Sequence, residues 1–497
     1  MLQETLSAPS DQPGQRLRDR VPLAVLCLSL CALLLVPLTI IGTGYLPFDD
    51  VLTNVAKAVG DTSWDSVVLL RPNVSLDLHN PGWDVLLRAT CRVSGVNQNA
   101  LVAIAVAGMM LAFLVSGLAA VRRPEVWLIS LIVGFVAAPD FLIRITLGRP
   151  FVFSGAVLVL LLGLWSDRSS RVRRSIRCTV SILALSLATW IHGSWYLFIL
   201  PIGAFFLTGR VRDGAALGAC WIGGVLLGGV YTGHPIAFFV HHLQHSWLVF
   251  GALPRSLLVG ELQAHQAPLA LMTVVVAGVV WLGWRNRTWR VFRDPVFALM
   301  VVGWLLGFQV ARFWVDWSMP AFLVWFARIL DQEFQKSAAT SMPRIVVALA
   351  LGVALVMIGK SDTNHRWSGN ILPLSEVEPI DSGWKEGLPQ GDGIVYSAST
   401  RTFDILFYRY PRERWRYVLG SEAALMPPED LPVFIRIQQE GYSSATIRPW
   451  MDKMRPNDRL VIFVSGQPAI PEFIWTYIGN GLWSGRLPAK PGSSAPE

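Results

Sequence analysis

The sequence predicts a polytopic α-helical membrane protein carrying a small extracytoplasmic α/β domain at its C-terminal end, and three observations predict it. The 497 residues are 53% hydrophobic and only 15% charged, with a mean hydropathy of +0.46, more apolar than a water-facing surface tolerates. Apolar runs, about eleven in all, can span or nearly span the ~30 Å of a bilayer's hydrocarbon, and they end near residue 360. Beyond them the chain loses hydrophobicity and gains Pro, Gly and Ser.

The formal charge of +8 and the isoelectric point near 9.4 would suit nucleic acid, but the Lys and Arg sit in short clusters between apolar runs. No basic stripe with interleaved stacking aromatics is present, so nucleic acid is excluded and the clusters read as topology signals. Cys27, Cys31, Cys91, Cys178 and Cys220 form neither a disulfide framework nor a metal-ligand spacing.

In chain order, residues 1–20 make a cytoplasmic tail with Arg16, Arg18 and Arg20 before the first apolar run, 21–41. That run is long enough to span and has no small-residue cleavage site close behind it, so it reads as a retained helix and not a signal peptide. Further runs follow at about 99–120, 125–140, 150–165, 177–192, 194–208, 214–232, 268–284, 295–312, 318–331 and 344–360, several of them short. Arg122 and Arg123, the block from Arg168 to Arg177, Arg210 and Arg212, the block from Arg285 to Arg293, and Lys336 with Arg344 occupy every second loop. They place the N-terminus in the cytoplasm. An odd number of spans then puts residue 361 onward outside.

The outer side owns a long first loop (42–98), a short loop around Pro139 and Asp140, a turn at His192-Gly193-Ser194, a histidine-rich loop (233–267), a turn at 312–319, and the tail. In that tail, 393–397 and 459–464 read as buried strands, and 401–408 and 431–439 as helices. These predict an α/β domain over 361–485, followed by a flexible stretch over 486–497. No internal repeat is visible.

Four stretches carry candidate chemistry. Asp49 and Asp50 follow the first span and open 51–59, whose apolar positions line one face of a short helix predicted to lie in the outer interface. One acid is explained as its N-cap; the second serves as a cation ligand, a general base or a solvated neighbour. In Asp77-Leu78-His79-Asn80-Pro81, Asn80 and Pro81 suit a helix start, leaving Asp77 and His79 to line a site. Arg144, Arg149 and Arg312 lie on the outer side against the positive-inside tendency; they either snorkel to lipid headgroups or bind a phosphate, which a guanidinium fork fits. Arg312 is also spaced to pair with Asp316. His192, His234, His241, His242, His245 and His265 form a loose group with no zincin signature, read as a partly solvated loop.

A diacidic pair after the first span, a second Pro-bearing polar segment in that loop, outer arginines, about eleven spans and an external C-terminal domain resemble the GT-C superfamily of membrane glycosyltransferases. The chain looks most similar to bacterial relatives of the protein O-mannosyltransferase and aminoarabinose transferase type. It departs from them in having Asn80-Pro81-Gly82-Trp83 where that type has a double proline. The resemblance implies a GT-C-like fold in a bacterial inner membrane. It implies transfer, with inversion, of a sugar from a polyprenyl-phosphate donor to a lipid, glycan or protein acceptor. Asp50, with Asp49 second, would be the base, and Asp77, His79, Arg144, Arg149, His192 and Arg312 would bind substrate. A poor hydroxyl nucleophile needs a carboxylate to take its proton, and a departing phosphate needs cations in place. Two abutting acids equally suit a divalent cation such as Mg or Mn, with Asp49 and Asp50 as ligands. Rival readings are a lipid-linked glycan transporter or flippase, which should carry ionisable groups deep in its spans, and a glycan polymerase or ligase, which should carry a larger late loop.

Overall fold

The computed structural model describes residues 13–72, 74–166, 173–252, 262–263, 269–286, 290–336, 341–371, 387–479 and 481–488. Arg168, Arg171, Arg287 and His265, and the predicted tail from 489 onward, lie outside the described residues.

Each apolar run of the sequence is helical. In order the helices are α1 (Pro13–Ile41), α2 (Asp50–Gly60), α3 (Pro81–Ser94), α4 (Gln98–Ser116), α5 (Pro124–Ala137), α6 (Pro139–Ile145), α7 (Phe151–Ser166), α8 (Arg174–Ile191), α9 (Ile199–Leu207), α10 (Val211–Tyr231), α11 (Pro235–Ala252), α12 (Leu269–Asn286), α13 (Pro295–Gly307), α14 (Met319–Lys336) and α15 (Ser341–Lys360). Local rules set their starts: Asn97 caps α4 by accepting from Ala100 N, and Asp294 caps α13 with Pro295 at its first position. Among the described residues, Val21–Ile41, Gln98–Ala120, Val211–Tyr231 and Pro343–Lys360 are long and apolar enough to cross a membrane. The pair α5 and α6, bent by 110°, makes a fifth candidate. Phe151–Ser166, Trp195–Leu207 and Pro295–Gly307 are apolar but shorter, so length and composition alone do not qualify eleven spans.

Helix α7 meets different partners at its two ends. At its C-terminal end, the Ser166 carbonyl accepts from Arg210 Nη1 at 2.9 Å and Arg328 also reaches it. Arg210 and Arg328 are in turn paired with Asp213 and Asp294. Sixteen helical residues, about 24 Å, separate this cationic end from Phe151.

The C-terminal domain is the predicted α/β unit. Strands β1 (Ile394–Tyr396), β2 (Arg416–Tyr417), β3 (Arg459–Phe463), β4 (Ile474–Tyr477) and β5 (Leu482–Arg486) form a sheet of order β2-β1-β3-β5-β4. β1 runs parallel to β2 and β3, and β5 antiparallel to β3 and β4. Helices α16 (Thr400–Arg409), α17 (Leu431–Glu440) and α18 (Ser444–Lys453) cover it.

Three expectations are corrected. The helix after Asp50 does not lie in an interface: Val51 through Ala58 are buried, including Thr53, Asn54 and Lys57, because α16 packs over the face left open by α3 and α4. The histidine-rich loop contains an eighteen-residue helix, α11, and the loop at Pro139 is the start of α6. The first loop is also part of the C-terminal domain's core. Ala56, Val67 and Val68 pack in one cluster with Val395, Phe403, Leu406, Phe407, Trp415 and Tyr417. Val68 pairs in parallel with Tyr417 on the edge strand β2, Leu69 N donating to Tyr417 O at 2.8 Å, so that sheet edge is closed by the first loop.

Candidate functional site

The site lies where the first loop, the Phe151 end of α7, α11 and the C-terminal domain meet. Asp49 is the N-cap of α2, its carboxylate accepting from Asp50 N at 2.7 Å. Asp50 is the first helical residue, and its side chain is 39% exposed against 11% for Asp49. Of the pair, then, Asp49 is the cap and Asp50 is the acid with room around it. Arg149 binds both: Nη2 donates to Asp49 Oδ2 at 2.9 Å, Nε pairs with Asp49 Oδ1, and Nε stands 3.3 Å from Asp50 Oδ2. The turn that delivers Arg149 to α7 needs glycine. Gly148 has φ +65° and a Cβ there would press on Val51 and Val106 at 3.0 Å.

A cavity of about 160 Å³ is lined by Asp50, Arg149, Arg312, His79, His192 and His245, with Trp64, Phe151 and Phe403 as aromatic walls. Ser421 and Glu422 close it from the C-terminal domain. The turn after α8 forms one side. His192 Nδ1 lies 3.1 Å from Ser154 Oγ, and Gly193 passes so close to α11 that a Cβ would meet the His242 ring at 1.7 Å. Asn80 was expected to cap α3 through its side chain, but Asn80 Oδ1 instead accepts from Gly193 N at 3.4 Å, tying the first loop to this turn.

Of the residues expected to bind substrate, His79, Arg149, His192 and Arg312 reach the cavity together with Asp50. Asp49, Asp77 and Arg144 do not line it. Asp77 accepts from Trp64 N at 2.8 Å and lies 3.1 Å from Lys57 Nζ. Lys57 is buried and is also paired with Asp84 at 2.5 Å, so a buried ammonium draws both carboxylates inward. Arg144 stacks over Phe151 and forks onto Asp316 at 3.1 and 3.2 Å. Asp316, on the wide π-turn Trp314–Ser318, also accepts from Arg312 Nε at 3.1 Å. A largely buried guanidinium is stable when matched by a carboxylate, and Arg144, 11% exposed, is so matched by Asp316 outside the cavity lining.

The sequence reading missed the histidine cluster as a unit. His79 packs against His245, His242 and His241 with ring centroids 4.5, 5.5 and 6.3 Å away. The i, i+4 spacing of His241 and His245 was the available signal; nothing in sequence announced Glu422, whose Oε2 lies 2.7 Å from His245 Nε2. Burial holds His79 well below the usual histidine range, with the neighbouring imidazoles adding to it. Burial takes His241 down to about 4 and lowers His242 despite its two carbonyl contacts. Those contacts, to Phe238 O at 2.8 Å and His79 O at 2.9 Å, use both ring nitrogens, and a neutral ring can donate to only one. For His245 burial also opposes charge, but the charge and hydrogen bond of Glu422 prevail and raise it.

A divalent cation does not fit between Asp49 and Asp50, because the Arg149 guanidinium already stands against both carboxylates. Among the described residues no group of three or more His, Cys, Asp or Glu is placed to hold a metal ion.

No family profile and no curated protein matches the chain. It is similar to solved structures of an oligosaccharyltransferase from Archaeoglobus fulgidus. The apo form is 11% identical, covering 90% of this chain and 69% of that one at a TM-score of 0.48. The enzyme, there named AglB, in complex with an inhibitory peptide and a dolichol-phosphate is 12% identical, covering 87% and 69% at 0.47. A complex with Zn and sulfate is 11% identical, covering 87% and 67% at 0.48.

Proposed function

We propose that the chain is a membrane glycosyltransferase that moves a sugar from a polyprenyl-phosphate-linked donor to an acceptor hydroxyl at the extracytoplasmic end of the helical body. The observation that carries this reading is that Asp50, Arg149 and Arg312 line one cavity with aromatic walls. Asp50 takes the acceptor proton as the acceptor oxygen attacks the sugar's C1, inverting it. Arg149 and Arg312, held in position by Asp49 and Asp316, receive the charge that builds on the departing phosphate. Trp64 and Phe403, with ring centroids 6.3 Å apart, offer faces against which a sugar ring packs. The arginine-rich end near Ser166, about 24 Å away along α7, faces the cytoplasm on this reading.

Asp50→Asn should lower transfer from a radiolabelled polyprenyl-phosphate sugar by a factor of about 10² to 10⁴, with melting unchanged. Full activity of this variant would remove the catalytic role of Asp50.

A further inference from the structure

Helix α11 has two unlike faces. Ile236, Val240, Leu243 and Trp247 are exposed along one side, while His241, His242 and His245 are buried on the other. Among the described residues His245 is the imidazole of the cluster that hydrogen-bonds a carboxylate, Glu422 of the C-terminal domain, at 2.7 Å, whereas His242 contacts the Phe238 ring and the carbonyls of Phe238 and His79. The groups facing His245 are His79 from the first loop, His241 and His242 from its own helix, Glu422, and Arg312 from the segment before α14. Glu422 takes Nε2, which fixes the ring and leaves Nδ1 as the nitrogen at which a proton is gained and lost. Among the described residues Nδ1 has no hydrogen-bond partner, and His245 lines the same cavity as Asp50.

We propose that His245, oriented by Glu422, gives its Nδ1 proton to the phosphate oxygen that leaves the sugar. This inference rests on the glycosyl-transfer reading above. The acceptor oxygen bonds to C1 and its proton goes to Asp50. The bond from C1 to the phosphate oxygen breaks, its electron pair stays on that oxygen, and the oxygen takes the proton from His245. Asp50 ends protonated and His245 neutral, and exchange with water restores both. Glu422 is a positioning residue, and because it belongs to the C-terminal domain, the acid site is complete only when that domain is docked.

The test is the binding of undecaprenyl monophosphate, the leaving group itself, to the full-length chain in detergent between pH 5.5 and 8.5. The lipid's own ionisation is common to every variant and cancels in the comparison. His245→Gln should weaken binding about tenfold at pH 6, the worth of one charge-assisted hydrogen bond, and leave binding at pH 8.5 nearly unchanged. Glu422→Gln should move the pH at which affinity falls to a lower value, and Glu422→Asp should restore most of it. Parallel pH profiles for the wild type and His245→Gln would overturn the proposal while leaving the glycosyl-transfer reading standing. Absence of lipid binding by the cooperatively melting wild type at every pH would overturn that reading as well. Should His245→Gln melt early, an unshifted profile in Glu422→Gln overturns the proposal by itself.

Discussion

Arg149, at the N-terminal end of α7, grips Asp49, one hundred residues earlier in the chain, with Nη2 standing 2.9 Å from Oδ2. This pair welds the cap of α2 to the start of α7 and aims the same guanidinium at Asp50. Both side chains are largely buried, 19% and 11% exposed, so removing one partner strands the other's charge. Arg149→Gln or Asp49→Asn alone should each cost about 3 kcal/mol of stability. The double variant should recover part of that loss without recovering sugar transfer, which needs the cation. Thermal melting and a transfer assay on the four proteins check both halves.

The imidazole cluster should make stability fall on both sides of neutrality. His79, His241 and His242 have values below that of an unfolded histidine, near 6.5, so their contribution is present above 6.5 and is lost as pH falls toward about 4, the value for His241. His245 is raised, so its contribution is full below 6.5 and is lost as pH climbs through its folded value. Melting temperatures across pH 4.5 to 9 should trace a dome. His241→Asn should flatten the acid side and Glu422→Gln the alkaline side.

Asp404 on α16 is buried, and burial drives its carboxyl well above the usual range, with the charges of Asp50 and Asp49 adding and those of Arg149 and Arg401 opposing. That burial disfavours the charged form of the carboxyl. Asp404→Asn should therefore fold with a change below about 1 kcal/mol. A raised acid contributes stability below its unfolded value, near 3.9, and loses it as pH rises through the folded one. The variant should accordingly resist alkaline unfolding better than the wild type, as melting at pH 9 against pH 6 would show.

How much of this was legible beforehand follows from the range over which each signal acts. Apolar runs and caps such as Asp294-Pro295 are local, so the helices stood out from composition and periodicity. Asp50 and Arg149 could be singled out because the sequence sets them directly beside apolar runs, where a charge is costly in any fold. Asp77 could not be told apart from His79, because the difference lies in Lys57, which α2 buries beside Asp77 and Asp84. Arg144 likewise looked like Arg149 until the π-turn brought Asp316 to it from 172 positions away. The face of α2 that reads as interfacial is covered by α16, some 350 residues later in the chain, and Glu422 meets His245 across 177 positions. Pairings at such separation leave no periodic trace.

The pairing of Val68 with Tyr417 also bears on how the molecule is made. Synthesis proceeds from the N-terminus, so the first loop is extruded early, while the strand it borders is among the last segments to appear. Throughout the insertion of the intervening helices, Val67, Val68 and the side of α2 that α16 later covers have no partner for their apolar surface. A ribosome stalled after residue 360 should therefore hold a nascent chain whose first loop is cut by protease or held by a chaperone, and releasing the last hundred or so residues should end that vulnerability in one step.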